Sequence, residues 1–483
     1  MLDIERHDKS MLDKSDANSI ATGSPQQGLT PEGGDLLTQM DVESLWHPMV
    51  QHKKYERNPP KRMDKAQGCY VTDSRGKEYL DGVSGLWCVN IGYGREELAD
   101  VAREQLMELS YFPLVMSHSP AIKLAAKLLE LLEFEGKVHF SNSGSEANET
   151  AFKMARQYHS QTGSARRYKI ISRYRAYHGN TMGALSATAQ AERRAKYDPL
   201  VPGFLHVHPP YCYRCPFGKE YGSCNIECAT NFENTIIHEG ADSVAAIIVE
   251  PVISGGGVIV PPDEYLPVLR DICDRYGILL IFDEVVSGFG RLGKMFGHEL
   301  WGVKPDIITM AKGITSGYLP LSATITQQHI FEAFLDESDP TSHFRHINTY
   351  GGNPASTALS LKNIEILETE ELADRAAKMG AYMRSQLATL ENHPWVGEIR
   401  GKGLLIGIEL VADKETKEPL AGDKVGAIKD RCLELGTIIG RNGSTIPGLS
   451  NVLIIAPPLI LTETDADKII NDLQQALGET SNK

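Results

Sequence analysis

The chain has 483 residues and a formal net charge of −14, and 41% of its residues are hydrophobic and 23% charged. This composition is typical of a globular protein with a core large enough for about two or three domains. The negative charge argues against a nucleic-acid-binding surface, and no apolar run approaches the about 20 residues of a membrane-spanning helix. The charged residues at 1–9 do not resemble a signal peptide, so we expect a cytoplasmic protein with mostly reduced cysteines.

Composition and patterning divide the chain into four predicted segments. Residues 1–38 are rich in Asp, Ser, Gly, Gln and Lys without apolar periodicity, which predicts a flexible N-terminal extension. Residues 39–98 become globular, and we assign them to a small domain. Residues 99–368 form the predicted large domain. Residues 369–483 mix helical and strand patterns and complete the small α+β domain.

Short β-rich runs alternate with longer helical patterns in the large domain, which predicts an α/β fold with a mostly parallel sheet. The predicted strands are residues 138–140, 168–172, 245–249, 278–282 and 307–310. The patterns elsewhere predict a hairpin at 70–80, helices at 369–390 and 423–435, and a strand at 404–410. Ligands of parallel sheets bind beyond the carboxyl ends of the strands. Glu250, Asp283 and Lys312 all fall at such ends.

The segment 141–149, with the sequence SNSGSEANE, follows the first of these strands and opens a predicted helix. Ser143 and Glu146 have the spacing of a capping box. A Ser/Gly-rich turn at a helix N-terminus presents free N–H groups and the positive end of the helix dipole, which suits a phosphate group. A plain helix cap is the alternative for this motif taken alone.

An aromatic pair follows the next predicted strand, and an acid follows the one after it. Tyr177 and His178 stand in the sequence YRAYHGNT at 174–181, where an aromatic ring could stack on a flat ligand. A structural aromatic is the alternative. Glu250 ends a buried strand, where a carboxylate has either a salt-bridge role or a site role.

Asp283 and Lys312 each end an apolar run. Desolvation lowers the pKa of a lysine toward the range in which its neutral amine attacks a carbonyl. A pyridoxal phosphate enzyme needs this pair, because the lysine forms the Schiff base and the acid keeps the pyridine nitrogen protonated. A surface lysine at a strand end is the alternative for Lys312 alone. The pairing with Asp283 favours a catalytic role for Lys312 over a surface lysine. It also favours a phosphate site at 141–149 over a plain helix cap.

Four cysteines lie close together in the sequence, at Cys212, Cys215, Cys224 and Cys228. We call residues 212–228 the cysteine loop. Paired cysteines at these spacings bind zinc in some proteins. Small packing groups in a loop are the alternative, and the chemistry predicted for Lys312 needs no metal.

Together these segments resemble the class III aminotransferases, pyridoxal 5'-phosphate enzymes that include ω-amino acid:pyruvate transaminases. The resemblance covers residues 40–475. The motifs that carry it are at 142–147, 177–179, 281–285, 288–291 and 311–313. It implies a fold-type-I architecture and a homodimer or a dimer of dimers that binds an amino donor and a 2-oxo acid.

The resemblance also assigns roles to individual residues. The implied cofactor site consists of Ser143, Gly144, Ser145, Tyr177, His178, Glu250, Asp283, Val285, Lys312 and Thr349. In it, Gly144 and Ser145 bind the phosphate, Tyr177 stacks on the ring and Val285 packs on the other face. Asp283 pairs with the pyridine nitrogen with support from Glu250, and Lys312 forms the Schiff base and carries the proton. Thr349 reaches the phosphate of the partner subunit's cofactor.

Two further residues are implied to bind substrates. Trp87, in the sequence LWCVNIGYG at 86–94, resembles the active-site entrance of the pyruvate-using enzymes, and Arg441 occupies the place of an arginine for the carboxylate of the acceptor. The cysteine loop resembles a subgroup that includes taurine:pyruvate aminotransferases. The sequence therefore predicts transfer of an amino group from an ω-amino donor, with taurine first, to pyruvate.

Other functions remain open at this point. Class III relatives with the same cofactor include a mutase and a decarboxylase, and other transaminases use β-alanine, other ω-amines or 2-oxoglutarate. A different class of protein, a non-catalytic binding module stabilised by a metal at the cysteine loop, is a further alternative.

Overall fold

The structure is a computed structural model that describes residues 36–443, 445–446 and 448–481. All but the last three residues of the predicted extension at 1–38 lie outside these ranges. The described residues form two compact units that divide after Arg62. In the first unit, α1 spans Leu36–Ser44 and α2 spans His52–Tyr55. The divisions predicted at 98/99 and 368/369 stay predictions.

The second unit contains the strands and the other helices. Its strands are β1 (Met63–Gln67), β2 (Tyr70–Asp73), β3 (Glu78–Asp81), β4 (Gly136–Ser141), β5 (Lys169–Arg173), β6 (Phe204–Val207), β7 (Val244–Val249), β8 (Leu279–Asp283), β9 (Ile307–Met310), β10 (Ser322–Gln327), β11 (Val396–Lys402), β12 (Leu405–Leu410), β13 (Thr437–Ile438), β14 (Gly440–Arg441) and β15 (Val452–Ile455). Its helices are α3 (Ser84–Trp87), α4 (Glu96–Glu108), α5 (Ser119–Leu132), α6 (Gly144–Gln161), α7 (Met182–Ala187), α8 (Ala191–Arg194), α9 (Glu227–Glu239), α10 (Tyr265–Tyr276), α11 (Gln328–Glu332), α12 (Pro354–Thr369), α13 (Leu372–Leu387), α14 (Gly422–Leu435) and α15 (Glu463–Ser481).

A seven-stranded sheet forms the centre of this unit, in the order β4-β10-β9-β8-β7-β5-β6. Strands β5 to β9 pair in parallel. Strand β10 is antiparallel to both β4 and β9, so β4 runs in the same direction as the parallel strands. The carboxyl ends of β4, β5, β7, β8 and β9 therefore lie along one edge of the sheet.

Both faces of the central strands are buried, which explains their continuous apolar sequences. Every residue of β7 and of β8 is buried. Ile248 and Ile281 pack with Phe152 of α6 on one face of the sheet. Ile247 and Leu280 pack on the other face in the larger core cluster, together with Leu269 of α10. Helices on opposite faces thus hold the sheet between two apolar layers.

Two smaller sheets of four strands complete the second unit, in the orders β1-β2-β3-β13 and β11-β12-β15-β14. The predicted hairpin at 70–80 is confirmed, because β2 and β3 pair antiparallel. The strand predicted at 404–410 corresponds to β12. No helix in the described ranges is long and apolar enough to cross a membrane.

The five predicted strands of the central sheet are confirmed as β4, β5, β7, β8 and β9. The patterns missed β6, a short edge strand, and β10, which is antiparallel and follows no βαβ alternation. The helix predicted at 423–435 matches α14. The helix predicted at 369–390 is α13, which starts later because α12 continues to Thr369 and a turn at Glu371 with φ 50° separates the two.

Candidate active site

Five of the predicted site residues lie at the carboxyl edge of the central sheet. Asp283 is the last residue of β8, and Glu250 directly follows β7. Lys312 comes two residues after β9, Tyr177 lies in the loop after β5, and Ser143 lies in the turn after β4. Parallel strands thus bring together side chains that are far apart in the sequence.

Asp283 is a buried carboxylate and is 3% exposed. Its hydrogen-bond partners are a side-chain amide, a histidine ring and a backbone N–H. Its Oδ2 accepts hydrogen bonds from Asn148 Nδ2 at 2.9 Å and pairs with His178 Nδ1 at 2.8 Å. Its Oδ1 accepts from the backbone N–H of Val285 at 3.1 Å. Among the described residues, no lysine or arginine is within ion-pair distance of this carboxylate. A buried carboxylate in such a setting calls for a cationic partner.

Asn148 is a site residue that the sequence patterns missed. It lies on α6 and is 1% exposed. Its Nδ2 also donates to the backbone oxygen of His178 at 2.7 Å, and its Oδ1 accepts from Thr309 Oγ1 at 2.8 Å. Asn148 therefore ties together α6, β8, β9 and the loop after β5. The only signal in the sequence was its position within the motif at 141–149.

Glu250 has different partners from those expected. Its Oε1 accepts from the backbone N–H of Tyr177 at 3.2 Å, and its Oε2 accepts from the N–H of Ser254 at 3.0 Å and from its hydroxyl at 2.7 Å. Within the described residues it forms no hydrogen bond with Asp283. Glu250 thus fixes the loop that carries Tyr177, and His178 and Asn148 are the groups that orient Asp283.

The N-terminus of α6 has the predicted capping box, formed by Ser143 and Glu146. Gly144 follows, and a Cβ placed there would lie 3.0 Å from a methyl group of Val285. Glycine therefore lets the helix end approach the residues after β8. Ser145 Oγ donates to Asn180 Oδ1 at 3.0 Å and accepts from the backbone N–H of Asn180 at 3.1 Å. The first-turn N–H groups of a helix have no acceptor within the helix, so this end suits an anion.

Lys312 is partly buried. Burial lowers the pKa of its amine, while the charges of Asp283, and more weakly Glu250, oppose this shift. Its Nζ lies 5.6 Å from the centre of the Trp87 ring. Lys312 also has a φ of 49°, in the left-handed region that non-glycine residues rarely adopt. Such strain is concentrated at functional sites.

A buried arginine positions the segment that contains Trp87. Arg291 Nη2 donates to Ser84 Oγ at 3.1 Å and to Asn90 Oδ1 at 2.9 Å, so it holds residues on both sides of Trp87. Its Nη1 donates to the backbone oxygen of Leu404 at 3.0 Å. Trp87 has a φ of 58°, and this strained turn presents its ring to Lys312.

Arg441 and Thr349 are not in contact with this cluster. Arg441 is exposed at the end of β14, and its Nη1 donates to the backbone oxygen of Gly422 at 2.6 Å. Thr349 is exposed in the loop before α12, where its backbone oxygen accepts from the hydroxyl of Tyr111 at 2.9 Å.

The cysteine loop surrounds a cavity of about 20 Å³ that all four of its cysteines line. They are free thiols. Burial raises the pKa of Cys228 to about 12, and burial also raises the pKa of Cys212. In the part of the chain that the structure describes, no group of three or more histidines, cysteines or acids is arranged to hold a metal ion. The packing alternative for these cysteines stays a prediction.

Comparisons with known proteins agree with this geometry. The family profile Aminotransferase class-III matches residues 51–477. The chain is 54% identical over 440 residues to the uncharacterized aminotransferase YhxA of Bacillus subtilis, which covers 91% of this chain and 96% of that protein. It is 42% identical over 450 residues to the taurine--pyruvate aminotransferase of Bilophila wadsworthia, and the match covers 92% of this chain and 98% of that protein. A crystal structure of a Bacillus anthracis aminotransferase matches with a TM-score of 0.90 and 51% identity. The match covers 94% of this chain and 100% of that structure's chain.

The chain belongs to the class III aminotransferases. Its architecture is that of the fold-type-I transferases, and its cofactor is pyridoxal 5'-phosphate. The residues present fit this group. Asp283 is a buried carboxylate without a lysine or arginine partner among the described residues, and the N-terminus of α6 lies next to Val285 with only a glycine between them. An enzyme of this class transfers an amino group from a donor to a 2-oxo acid.

Proposed function

We propose that this aminotransferase moves the amino group of an ω-amino donor, with taurine as the first candidate, to pyruvate, forming an aldehyde and alanine. The support for taurine is the 42% identity to the Bilophila enzyme over nearly the full length of both chains. The cysteine loop and Trp87 also resemble that subgroup. The cluster of Lys312, Asp283 and His178 carries the proposal that the chain is catalytic.

We propose the following roles around the cofactor. Asp283 would face the ring nitrogen, and His178 and Asn148 orient its carboxylate. The N–H groups of Gly144 and Ser145 would bind the phosphate at the N-terminus of α6. Tyr177 and Val285 would pack against the ring. When bound, pyridoxal phosphate supplies a ring that withdraws electrons from the carbon that loses its proton.

Lys312 would hold and move that proton at its Nζ. A general base works best when its pKa is near the working pH, and burial shifts the pKa of Lys312 downward toward that range. The charges of nearby Asp283 and Glu250 oppose this downward shift of the Lys312 pKa. The Trp87 ring beside Nζ restricts the space through which a substrate approaches.

Arg441 would bind the acid group of both substrates in turn. In the structure its guanidinium donates to a surface carbonyl, that of Gly422. In that bond only the donor is charged, whereas a guanidinium pairs more strongly with a carboxylate or a sulfonate, where both partners are charged. A swing of this side chain from Gly422 toward the substrate would therefore be favourable for pyruvate and for taurine.

The proposed assembly is a homodimer. Exposed apolar side chains surround Thr349, including Tyr350 at 66%, Ile347 at 60% and Val115 at 78% exposure. Patches of this kind mark interfaces, and a second copy of the chain would cover them and bring Thr349 to the partner's cofactor. The cytoplasmic location stays a prediction from the sequence.

A donor panel with pyruvate as acceptor tests the substrate proposal. Purified holoenzyme is incubated with taurine, β-alanine or a plain ω-amine, and alanine is measured. We expect the highest kcat/KM with taurine. Alanine from the plain amine without any from taurine would contradict the subgroup and leave the aminotransferase class intact.

The same panel addresses the alternatives. Replacing pyruvate by 2-oxoglutarate tests the acceptor. A mutase would form no alanine from pyruvate with any donor, and a decarboxylase would release carbon dioxide from its donor. A non-catalytic, metal-stabilised binding module would form no alanine with any donor or acceptor.

A further inference from the structure

Arg193 covers one face of the Tyr177 ring. Its guanidinium carbon lies 4.5 Å from the ring centre. Arg193 belongs to α8, a four-residue helix that no motif in the sequence marked. Because the guanidinium occupies one face of the ring, the opposite face is the one left for a flat ligand.

Gln190 holds the guanidinium in this place. Arg193 Nε donates to Gln190 Oε1 at 2.9 Å, and Gln190 Nε2 donates to the backbone oxygen of Arg175 at 2.9 Å. Gln190 is 2% exposed. Its hydrogen bond to Arg175 is buried, and its hydrogen bond with Arg193 is partly buried. Arg175 is two residues before Tyr177. The loop after β5 thus contacts Gln190, Gln190 contacts Arg193, and Arg193 contacts the Tyr177 ring in the same loop.

Backbone hydrogen bonds also join the segment before α8 to the loop after β5. Ala189 pairs with the segment 174–176, because its oxygen accepts from the N–H of Arg175 at 2.9 Å and its N–H donates to the oxygen of Ala176 at 3.1 Å. The backbone N–H of Tyr177 is held separately by Glu250. The main chain of Tyr177 is therefore fixed by one partner and its ring by another.

We propose that Arg193 is a positioning residue, whose guanidinium, held by Gln190, fixes the orientation of the Tyr177 ring against the cofactor. This inference rests on the proposed function, in which Tyr177 packs on the pyridoxal phosphate ring. The charge of Arg193 also contributes to lowering the pKa of Lys312, after the larger effect of burial. Arg193 thus faces the site and not the solvent alone.

Arg194 provides a matched control. It is the next residue of α8 and carries the same charge, but it acts on a different part of the molecule. Burial, followed by the charge of Arg194, lowers the pKa of His206 on β6 to about 4. A substitution at Arg194 therefore removes the same charge from the same helix without touching the Tyr177 ring.

The test compares Arg193→Met, Arg193→Lys and Arg194→Met. The dissociation constant for pyridoxal phosphate is measured by equilibrium dialysis, and the orientation of the ring is followed by the circular dichroism of its visible band. We expect Arg193→Met to weaken binding by about threefold to tenfold, the range of a cation–π contact, and to reduce the dichroism. Arg193→Lys should restore most of both, and Arg194→Met should match the wild type.

A double-mutant cycle with Tyr177→Leu separates this inference from the proposed function. If Arg193 acts through Tyr177, Arg193→Met should have no further effect in the Tyr177→Leu background. Weaker binding in Tyr177→Leu together with wild-type binding and dichroism in Arg193→Met would overturn the inference alone. Unchanged binding in Tyr177→Leu would overturn the proposed role of Tyr177 and the inference with it. If Arg193→Met does not fold, Gln190→Met releases the guanidinium instead, and wild-type dichroism in that variant would overturn the inference.

Discussion

Replacing Asn148 by leucine should disturb the site more than any other change that touches neither Lys312 nor Asp283. The substitution removes three buried hydrogen bonds, one to the Asp283 carboxylate and two to the neutral groups of His178 and Thr309. A bond to a charged group contributes about 1.5–3 kcal/mol and a neutral one about 1 kcal/mol. The three together contribute about 4 kcal/mol on this scale.

Thermal unfolding measures this loss. At about 2 °C per kcal/mol for a long chain, Asn148→Leu should lower the Tm by about 8 °C. Thr309→Val is the matched control, because it removes one neutral hydrogen bond and should lower the Tm by about 2 °C. The rate of the half-reaction with the amino donor should fall about tenfold in Asn148→Leu, since Asp283 loses one of its orienting donors. Equal Tm values and rates for the two variants would refute the role of Asn148.

Five more predictions concern the site and the cysteine loop. Lys312→Ala should bind pyridoxal phosphate but show no turnover. Borohydride reduction of the wild-type enzyme should attach the cofactor covalently to Lys312 alone, as peptide mapping would show. In cofactor-free protein, the pKa of Lys312 is lower in the folded state than in the unfolded state. Between the folded pKa and the unfolded value of about 10.4, the unfolded state therefore binds more protons, and the free energy of unfolding should rise with pH. This slope should be shallower in Lys312→Met. Asp283→Asn should keep the fold and slow the half-reaction by about three orders of magnitude, as expected for a lost transition-state charge; a near-wild-type rate would mean that another group supplies the charge. Arg441→Ala should raise the KM for pyruvate at least about tenfold and affect donors without an acid group much less; equal losses for both would argue against an anion contact. Metal analysis should find no zinc in the cysteine loop with four titratable thiols, and about one zinc per chain would contradict this.

Much of the site could be predicted from local patterns in the sequence. Apolar runs that end in Asp283 and Lys312 predicted strands whose tips carry chemistry, because a fully buried strand must be apolar along its length. The spacing of Ser143 and Glu146 predicted the helix start, since a capping box is a local hydrogen-bond pattern. These features depend on neighbours within a few residues.

Contacts between distant segments required the tertiary structure. Asn148 and Asp283 are joined by a hydrogen bond across 135 positions of the chain, and nothing near either residue in the sequence indicates it. The sequence predicted that Glu250 supports Asp283, whereas the structure places its carboxylate on the loop of Tyr177. The antiparallel strand β10 was missed for the same reason, because the pairing partner of a strand is set by the whole sheet.

The sequence by itself determined the class of enzyme through the resemblance of its motifs to a known family. It also determined the residues at the strand ends, because burial and capping patterns are encoded by residues close to one another. The tertiary structure alone decided which polar groups orient those residues: Asn148 and His178 for Asp283, Glu250 for the backbone of Tyr177, and Arg193 above its ring. A buried polar group takes whichever partner the packed helices and strands bring within hydrogen-bonding distance, and that distance is a property of the complete fold.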